Sequence, residues 1–399
     1  MKKAYIVVMV LSAAIISIQA CSKLEPAAKA DDEILDGPVE GLSYDQNRQF
    51  LAGDVAFNDD IFTAQKGLGS IFVATSCGSC HAGDGKGHPF TTLARFGQID
   101  STGNQFLHLG GPQLQNRALP GYTPEQIPAG ATFSKFTPPA NTGLGFLELV
   151  PDADILAMAD PNDINGDGIS GVPNWRALPS FLTPNTNAIS QNGRYIHRFG
   201  KKAAAYNLLH QTVNAYNQDI GITSTFVPKD VYSGLDIDPE VSDQTVHNVV
   251  FYLQTLKAPI QRDQNDNEVM QGKNLFVQAG CESCHKQTLK TGSSNIAPLS
   301  NKVFHPYTDL LLHDMGSALN DGYTEGNAKT YEWRTPPLWG LGLSPNSQGG
   351  EYFLLHDGRA KSIEEAILLH GGEAAASRNK FNQMLAAEKN ALLKFLKSL

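Results

Sequence analysis

Apolar positions along the chain fall into two stretches that mirror each other. In NVVFYLQTL (248–256), Val249, Val250, Leu253 and Leu256 stand at i, i+1, i+4 and i+7; in NALLKFLKSL (390–399), Leu392, Leu393, Leu396 and Leu399 repeat that stripe. Each predicts a helix that buries one face. A further helix is predicted where SIEE (362–365) forms a capping box and Ile363, Ala366, Ile367 and His370 follow at i, i+3, i+4 and i+7. Its end, LLHGGEA (368–374), puts a histidine on the inward stripe, with Gly371 as the expected left-handed cap. VMQGKNLF (269–276), with Gly272 and Phe276 one turn apart, and RFGKKAAAYNLLHQTV (198–213) also read as helices.

The apolar run that follows Lys2 and Lys3 is of another kind. It is too short and wrongly flanked for a membrane span and reads as a signal peptide over residues 1–20. It ends IQAC (18–21), a lipobox-like string that makes Cys21 the expected lipid-bearing N-terminus, with simple cleavage nearby as the alternative. Residues 21–45, rich in Ala, Asp and Pro, then read as a lipidated tether. The predicted location is exported, on the periplasmic or cell-surface side. Contact with the membrane is expected only through Cys21. The formal charge of −9 becomes −11 without Lys2 and Lys3, which leaves no electrostatic footprint for nucleic acid.

Five cysteines are present, and four of them form two CxxCH units, CGSCH (77–81) and CESCH (281–285). In an exported chain this spelling reads as covalent haem attachment: Cys77 and Cys80, then Cys281 and Cys284, supply thioether bonds, and His81 and His285 the proximal iron ligands. A zinc ribbon would place its cysteine pairs about 15–20 residues apart. A redox dithiol needs no histidine after the second cysteine. The expected cofactors are therefore two covalently attached c-type haems.

More than the haem motif is repeated. KGLGSIF (66–72) precedes the first site as VMQGKNLF precedes the second. TPPANTGLGF (137–146) follows the first and TPPLWGLGL (335–343) the second. Each half then closes on one of the two striped helices. The order predicts a mainly α fold of two tandem cytochrome c-like haem domains with long loops, at 46–260 and 261–399, the first enlarged by an insertion at about 150–235. That insertion carries DINGDGIS (163–170), where Asp163, Asn165 and Asp167 alternate as in a calcium loop. Asn174 stands where such a loop needs a glutamate, so a solvated turn is the alternative to calcium.

The remaining histidines decide what each iron could do, because the sixth position separates electron transfer from catalysis. His370 is the candidate distal ligand of the second haem, with a hydrogen-bonded core histidine as the alternative reading. His210 reads as structural. Residues 269–399 resemble the second haem domain of the bacterial di-haem cytochrome c peroxidases: CESCH, RTPPL (334–338), HDG (356–358) and EEAILLHGG (364–372) occur in that order. The whole mature chain resembles, more closely, the di-haem oxidoreductases related to them, through GLGFLE (143–148), DGISG (167–171), LLLHDMG (310–316), EWRTPPLWGLG (332–342) and LLHDGRA (354–360).

The resemblance implies that His370 stands where the peroxidases carry a methionine ligand; Met315 is the alternative sulfur ligand. It implies that His356 hydrogen-bonds beside the second haem. QIPAGATFSK (126–135) lacks the removable distal histidine of the peroxidases, so the first haem is expected to be five-coordinate or closed by His88, His108 or another residue. No tryptophan matches the one that lies between the peroxidases' haems. Glu148 is the candidate acid–base group near the first haem, with a capping or surface role as the alternative. These features imply an exported oxidoreductase that passes electrons from a donor such as a small cytochrome or cupredoxin to peroxide or a similar small oxidant. A pure electron-transfer cytochrome is the alternative, and a surface-tethered haem- or iron-binding protein a third.

Overall fold

In the computed structural model, which describes residues 30–100 and 103–399, two pairs of helices cross at glycines. Tyr44–Asn58 packs on Asp243–Thr255, and Asn267–Ala279 packs on Ala386–Ser398. A Cβ on Gly53 would lie 2.1 Å from the Asn248 carbonyl oxygen, and one on Gly272 would lie 2.0 Å from that of Ala391. Only glycine lets the two backbones approach so closely. Val249, Val250, Leu253 and Leu256 are buried in one cluster and Leu392, Leu396 and Leu399 in another, while Leu393 of the second stripe is half-buried against it.

The loops between helix pairs are repeated too. Gly143 and Gly340 both take φ +70°, and the second glycine of each GLG string meets the closing helix backbone, Gly145 against Gln254 O and Gly342 against Lys397 O. The helix matching 267–279 is nevertheless not the predicted 66–72. That segment is a short turn and strand, and Gly53 within Tyr44–Asn58 does the work of Gly272. The predicted helix over 198–213 begins only at Leu208. Gly200 and Ala203 take positive φ, and Phe199 bridges Ala205 to make a hairpin-like turn.

The fold is mixed, not mainly helical. Among the described residues the strands pair into five small antiparallel sheets, such as Leu93–Phe96 with Phe133–Phe136 and Leu312–Asp314 with Glu332–Arg334. Ladders of two to four residues satisfy backbone groups of long loops but are too short to show in a hydrophobic period. Leu35–Leu399 forms one compact unit. The expected insertion holds the helix Asp152–Met158 and the three-stranded sheet of Asn174–Arg176, Arg194–His197 and Ser190–Gln191.

The signal peptide, Cys21 and the tether up to residue 29 lie outside the described residues. From Leu35 the supposed tether is tied down, with Val39 N–H donating to Thr255 O at 2.7 Å. No described helix is long and apolar enough to cross a membrane.

The glycine contacts give a direct expectation. Gly272→Ala should destabilise the protein by ~1–3 kcal/mol through overpacking, read as a lower midpoint in thermal or urea unfolding, while Lys273→Ala, on the exposed face of the same helix, should leave the midpoint nearly unchanged.

Candidate functional site

Both CxxCH strings open onto one continuous cavity of about 670 Å³. Helix ends and turns deliver them: Gly280, at φ +85°, stops the helix Asn267–Ala279 and turns the chain into Cys281. The four thiols are free and enclosed, and burial pushes Cys77 and Cys281 up to about 12 and Cys80 to about 11. A redox dithiol needs the opposite, a depressed thiol. The pairs do not assemble a four-cysteine zinc site either. Among the described residues the one cluster with metal-ligand geometry is Cys284, Asp309 and His313.

Three cavity histidines share one arrangement. His81 Nδ1 donates to Pro139 O at 3.0 Å, His285 Nδ1 to Tyr307 O at 3.0 Å and His370 Nδ1 to Ala366 O at 2.7 Å. A carbonyl can only accept, so each ring carries its proton on Nδ1 and keeps a lone pair on Nε2. Burial lowers all three pKa values, His81 and His285 to about 4, so the rings are neutral near pH 7. That is the state in which imidazole ligates a metal. His370 also lies close enough to His285 to depress its protonation. Met315 lines the cavity too, but packs into the aromatic cluster of Phe136, Tyr323 and Trp333.

The remaining candidates sort by their hydrogen bonds. His210 lines the cavity, yet its Nδ1 accepts from Tyr206 N–H at 3.2 Å, which puts its proton on Nε2 and agrees with a structural role. His88 and His108 do not line the cavity; His88 packs on Phe90 and Phe353, and His108 is exposed. His356 is stacked on Trp333 at 3.7 Å and uses Nε2 on Asp321 at 2.7 Å. Glu148 lies off the cavity wall. Its two oxygens accept from Leu208 N–H at 2.7 Å and Gln254 at 2.6 Å, so it ties a helix start to the closing helix, the capping role rather than the acid–base one.

In the DINGDGIS loop, Asp163 accepts from Gly168 N–H, Asn165 from Asp167 N–H and Asp167 from Ile169 N–H. Those oxygens are engaged by their own turn. Alone these bonds make an Asx-type turn, and the carboxylates keep lone pairs that a cation could use.

Several further wall residues belong to no ligand or acid–base pattern of the sequence. Lys86, Lys201 and Arg334 come from separate segments to the cavity. Burial lowers Lys86 to about 7 and Arg334 to about 10, and it lowers Lys201, which both of them repel, well below the usual lysine range. Lysines held below their usual range regain a proton beside an anion, so together with Arg334 this basic wall favours an anionic occupant, and haem propionates are such anions. Trp333 also lines the cavity, with Lys202 Nζ 3.8 Å from its ring centroid on one side and His356 stacked on another. Beside the first CxxCH, Arg95 joins Glu325 (2.7 Å), Gln113 (3.1 Å) and Gln218 (3.1 Å), and Gln113 donates to Asp219. Burial raises Asp219 to about 6. The thiol pairs, lone-pair histidines and basic wall together fit haem.

Residues 135–399 match the family described as "di-haem oxidoreductase, putative peroxidase". The chain belongs to that family. The matched region contains the second CxxCH and starts after the first. Haem-based redox chemistry is accordingly the chemistry of this member of the di-haem oxidoreductases. No curated protein matches the chain. Among solved structures it is similar to a chain of the Kuenenia stuttgartiensis hydrazine synthase pressurised with 20 bar xenon, at 12% identity and TM-score 0.41, over 94% of this chain and 98% of that one. That likeness is too loose to bear on function.

Two adjoining imidazoles, His210 on the wall and His197 buried beside it, give this family member a pH signature. Burial lowers His197 to about 3 and His210 to about 4, and His197 Nε2 has no hydrogen-bond partner. An unfolded histidine, near 6.5, takes up its proton first. Their stabilising contribution is therefore complete above about pH 6.5 and is lost as pH falls toward 4. His197→Gln should flatten the fall in unfolding free energy over this interval by up to ~1.4 kcal/mol per pH unit, measured by urea titrations at several pH values.

Proposed function

We propose that this chain is an exported di-haem c-type oxidoreductase that carries electrons from a protein donor to peroxide or a similar small oxidant. The observation that carries this reading is the shared arrangement of His81, His285 and His370, each neutral, with Nε2 free beside a CxxCH-lined cavity. Cys77 and Cys80 would hold one haem and Cys281 and Cys284 the other, with His81 and His285 as proximal ligands. Haem supplies one-electron chemistry, and an open iron position supplies a place for an oxidant.

The protein's own groups divide the work. His370 closes the second site with imidazole, which lowers a haem potential relative to the methionine of the peroxidases. The first site offers no histidine of the ligating kind besides His81 among the described wall residues. That asymmetry supports one relay site and one reactive site. Asp219 is the group best suited to move a proton at the first site, because its raised pKa lies near the working range. Gln113 and Arg95 hold its carboxyl in place. Lys86, Lys201 and Arg334 would neutralise the propionates. The signal peptide and Cys21 support export and a lipid anchor, and a small cytochrome or cupredoxin fits as donor.

The test is turnover. The purified, haem-loaded protein should oxidise a reduced cytochrome or dye in a peroxide-dependent manner, and should show a high-spin component from an open first iron. A protein with two low-spin irons and no turnover even after pre-reduction would be a relay alone. Asp219→Asn should slow peroxide turnover by ~10²-fold or more with haem content unchanged. His370→Ala should convert one low-spin haem to high spin, and an unchanged spectrum would return His370 to a packing role.

A further inference from the structure

The strand Leu312–Asp314 carries His313, and both of its ring nitrogens face carboxylates. Nε2 lies 2.8 Å from Asp309 Oδ2 and Nδ1 lies 2.7 Å from Glu373 Oε2. A ring between two carboxylates holds both protons, so His313 is a buried imidazolium. Its Nδ1 is also 3.5 Å from Cys284 Sγ, the residue before His285. Glu373 stands three residues after His370. Its other oxygen accepts from Ser170 Oγ at 2.5 Å and from Asp314 N–H at 3.4 Å.

The two glycines between His370 and Glu373 explain how the turn reaches this cluster. Gly371 is extended rather than left-handed, and the positive φ, +51°, falls on Gly372. A Cβ on Gly372 would lie 2.2 Å from Asp314 O, and one on Gly371 would lie 2.8 Å from Met315 O. Gly316 returns the contact, since its Cβ would lie 2.7 Å from Gly372 N. The HGGE turn is thus pressed backbone to backbone onto residues 314–316, and Glu373 locks it there. The expected helix cap at Gly371 is replaced by this docking.

We infer that Asp309, His313 and Glu373 form a positioning clamp that ties the His370 turn to the Cys284–His285 segment and so sets axial ligation at the second haem. The inference rests on His370 being the distal ligand. Replacing buried ions with apolar groups is often harmless to stability, so a buried carboxylate–imidazolium–carboxylate chain is poorly explained by packing alone. Partners beyond a ligating histidine orient it, and their loss typically costs metal ligation 10–100-fold. Here the restraint acts on the backbone beside the ligand. Ser170 extends it to the DINGDGIS loop of the first half, giving that motif a use that needs no ion.

The experiment compares spin state and midpoint potential of the haem-loaded protein in five variants. Glu373→Ala removes the acceptor for His313, Ser170 and Asp314 N–H. It should lower His370 occupancy ~10-fold or more, seen as a new high-spin signal that added imidazole returns to low spin. Glu373→Gln keeps an oxygen acceptor but loses a negative charge; it should stay largely low spin while the potential of that haem rises. Ser170→Ala should give a smaller shift in the same direction as Glu373→Ala. His370→Ala separates the two ideas. If it turns one haem high spin while Glu373→Ala stays low spin at the wild-type potential, the clamp is wrong and the ligand assignment stands. If His370→Ala changes nothing, both fall. Should Glu373→Ala fail to load haem, His313→Gln and Ser170→Ala decide, and wild-type spectra and potentials in both would overturn the clamp.

Discussion

A backbone carbonyl facing Nδ1 of an enclosed histidine is the interaction on which the rest of this site depends. It fixes the tautomer, aims Nε2 at the cavity and restrains the ring, all with a group that cannot titrate. Pro139, Tyr307 and Ala366 provide it for His81, His285 and His370. His210 shows the converse. The same ring with an N–H pointed at Nδ1 becomes a donor at Nε2 and drops out of the ligand set. Residue type alone therefore does not make a ligand; the local backbone does.

Holding those carbonyls in place is a packing problem with an unusual condition, because the chain must surround a large cavity and still be rigid. Backbone contacts at Gly53, Gly272, Gly145 and Gly342 meet that condition at the helix pairs, away from the cavity centre. Short antiparallel ladders then brace the long loops that bring Thr137–Pro139 and Thr335–Pro337 to the wall. The halves repeat in their helix pairs and GLG turns yet differ in the proximal carbonyl. Pro139 of the TPP segment serves His81, while Tyr307, well before the second TPP, serves His285. Two sites built on one plan are thereby free to take different tasks.

Electrostatics draws the second distinction between them. Around the second site, a buried imidazolium sits between two carboxylates, close to both His285 and the His370 turn. Around the first, Arg95 gathers Glu325, Gln113 and Gln218 near a carboxyl held close to neutral pH. The basic wall of Lys86, Lys201 and Arg334 belongs to neither half alone. A single compact unit lets the two sites share it.

By itself the sequence determined what is local. Helix stripes, a capping box at Ser362, two CxxCH strings and the GLG repeat are each written within about ten residues, where period and spacing act directly. His370 stood out for the same reason, as a polar side chain on an inward stripe. What only the tertiary structure decided is every relation between distant segments. Gly53 rather than 66–72 proved to be the counterpart of Gly272, Glu148 turned out to cap a helix, and His313 found Glu373 sixty residues away. The short ladders that make the fold mixed leave no mark in the sequence, because two to four residues carry no period. A local pattern reports which face of an element is buried; it cannot report which carbonyl or carboxylate will be waiting there, because that partner is chosen by how the chain returns.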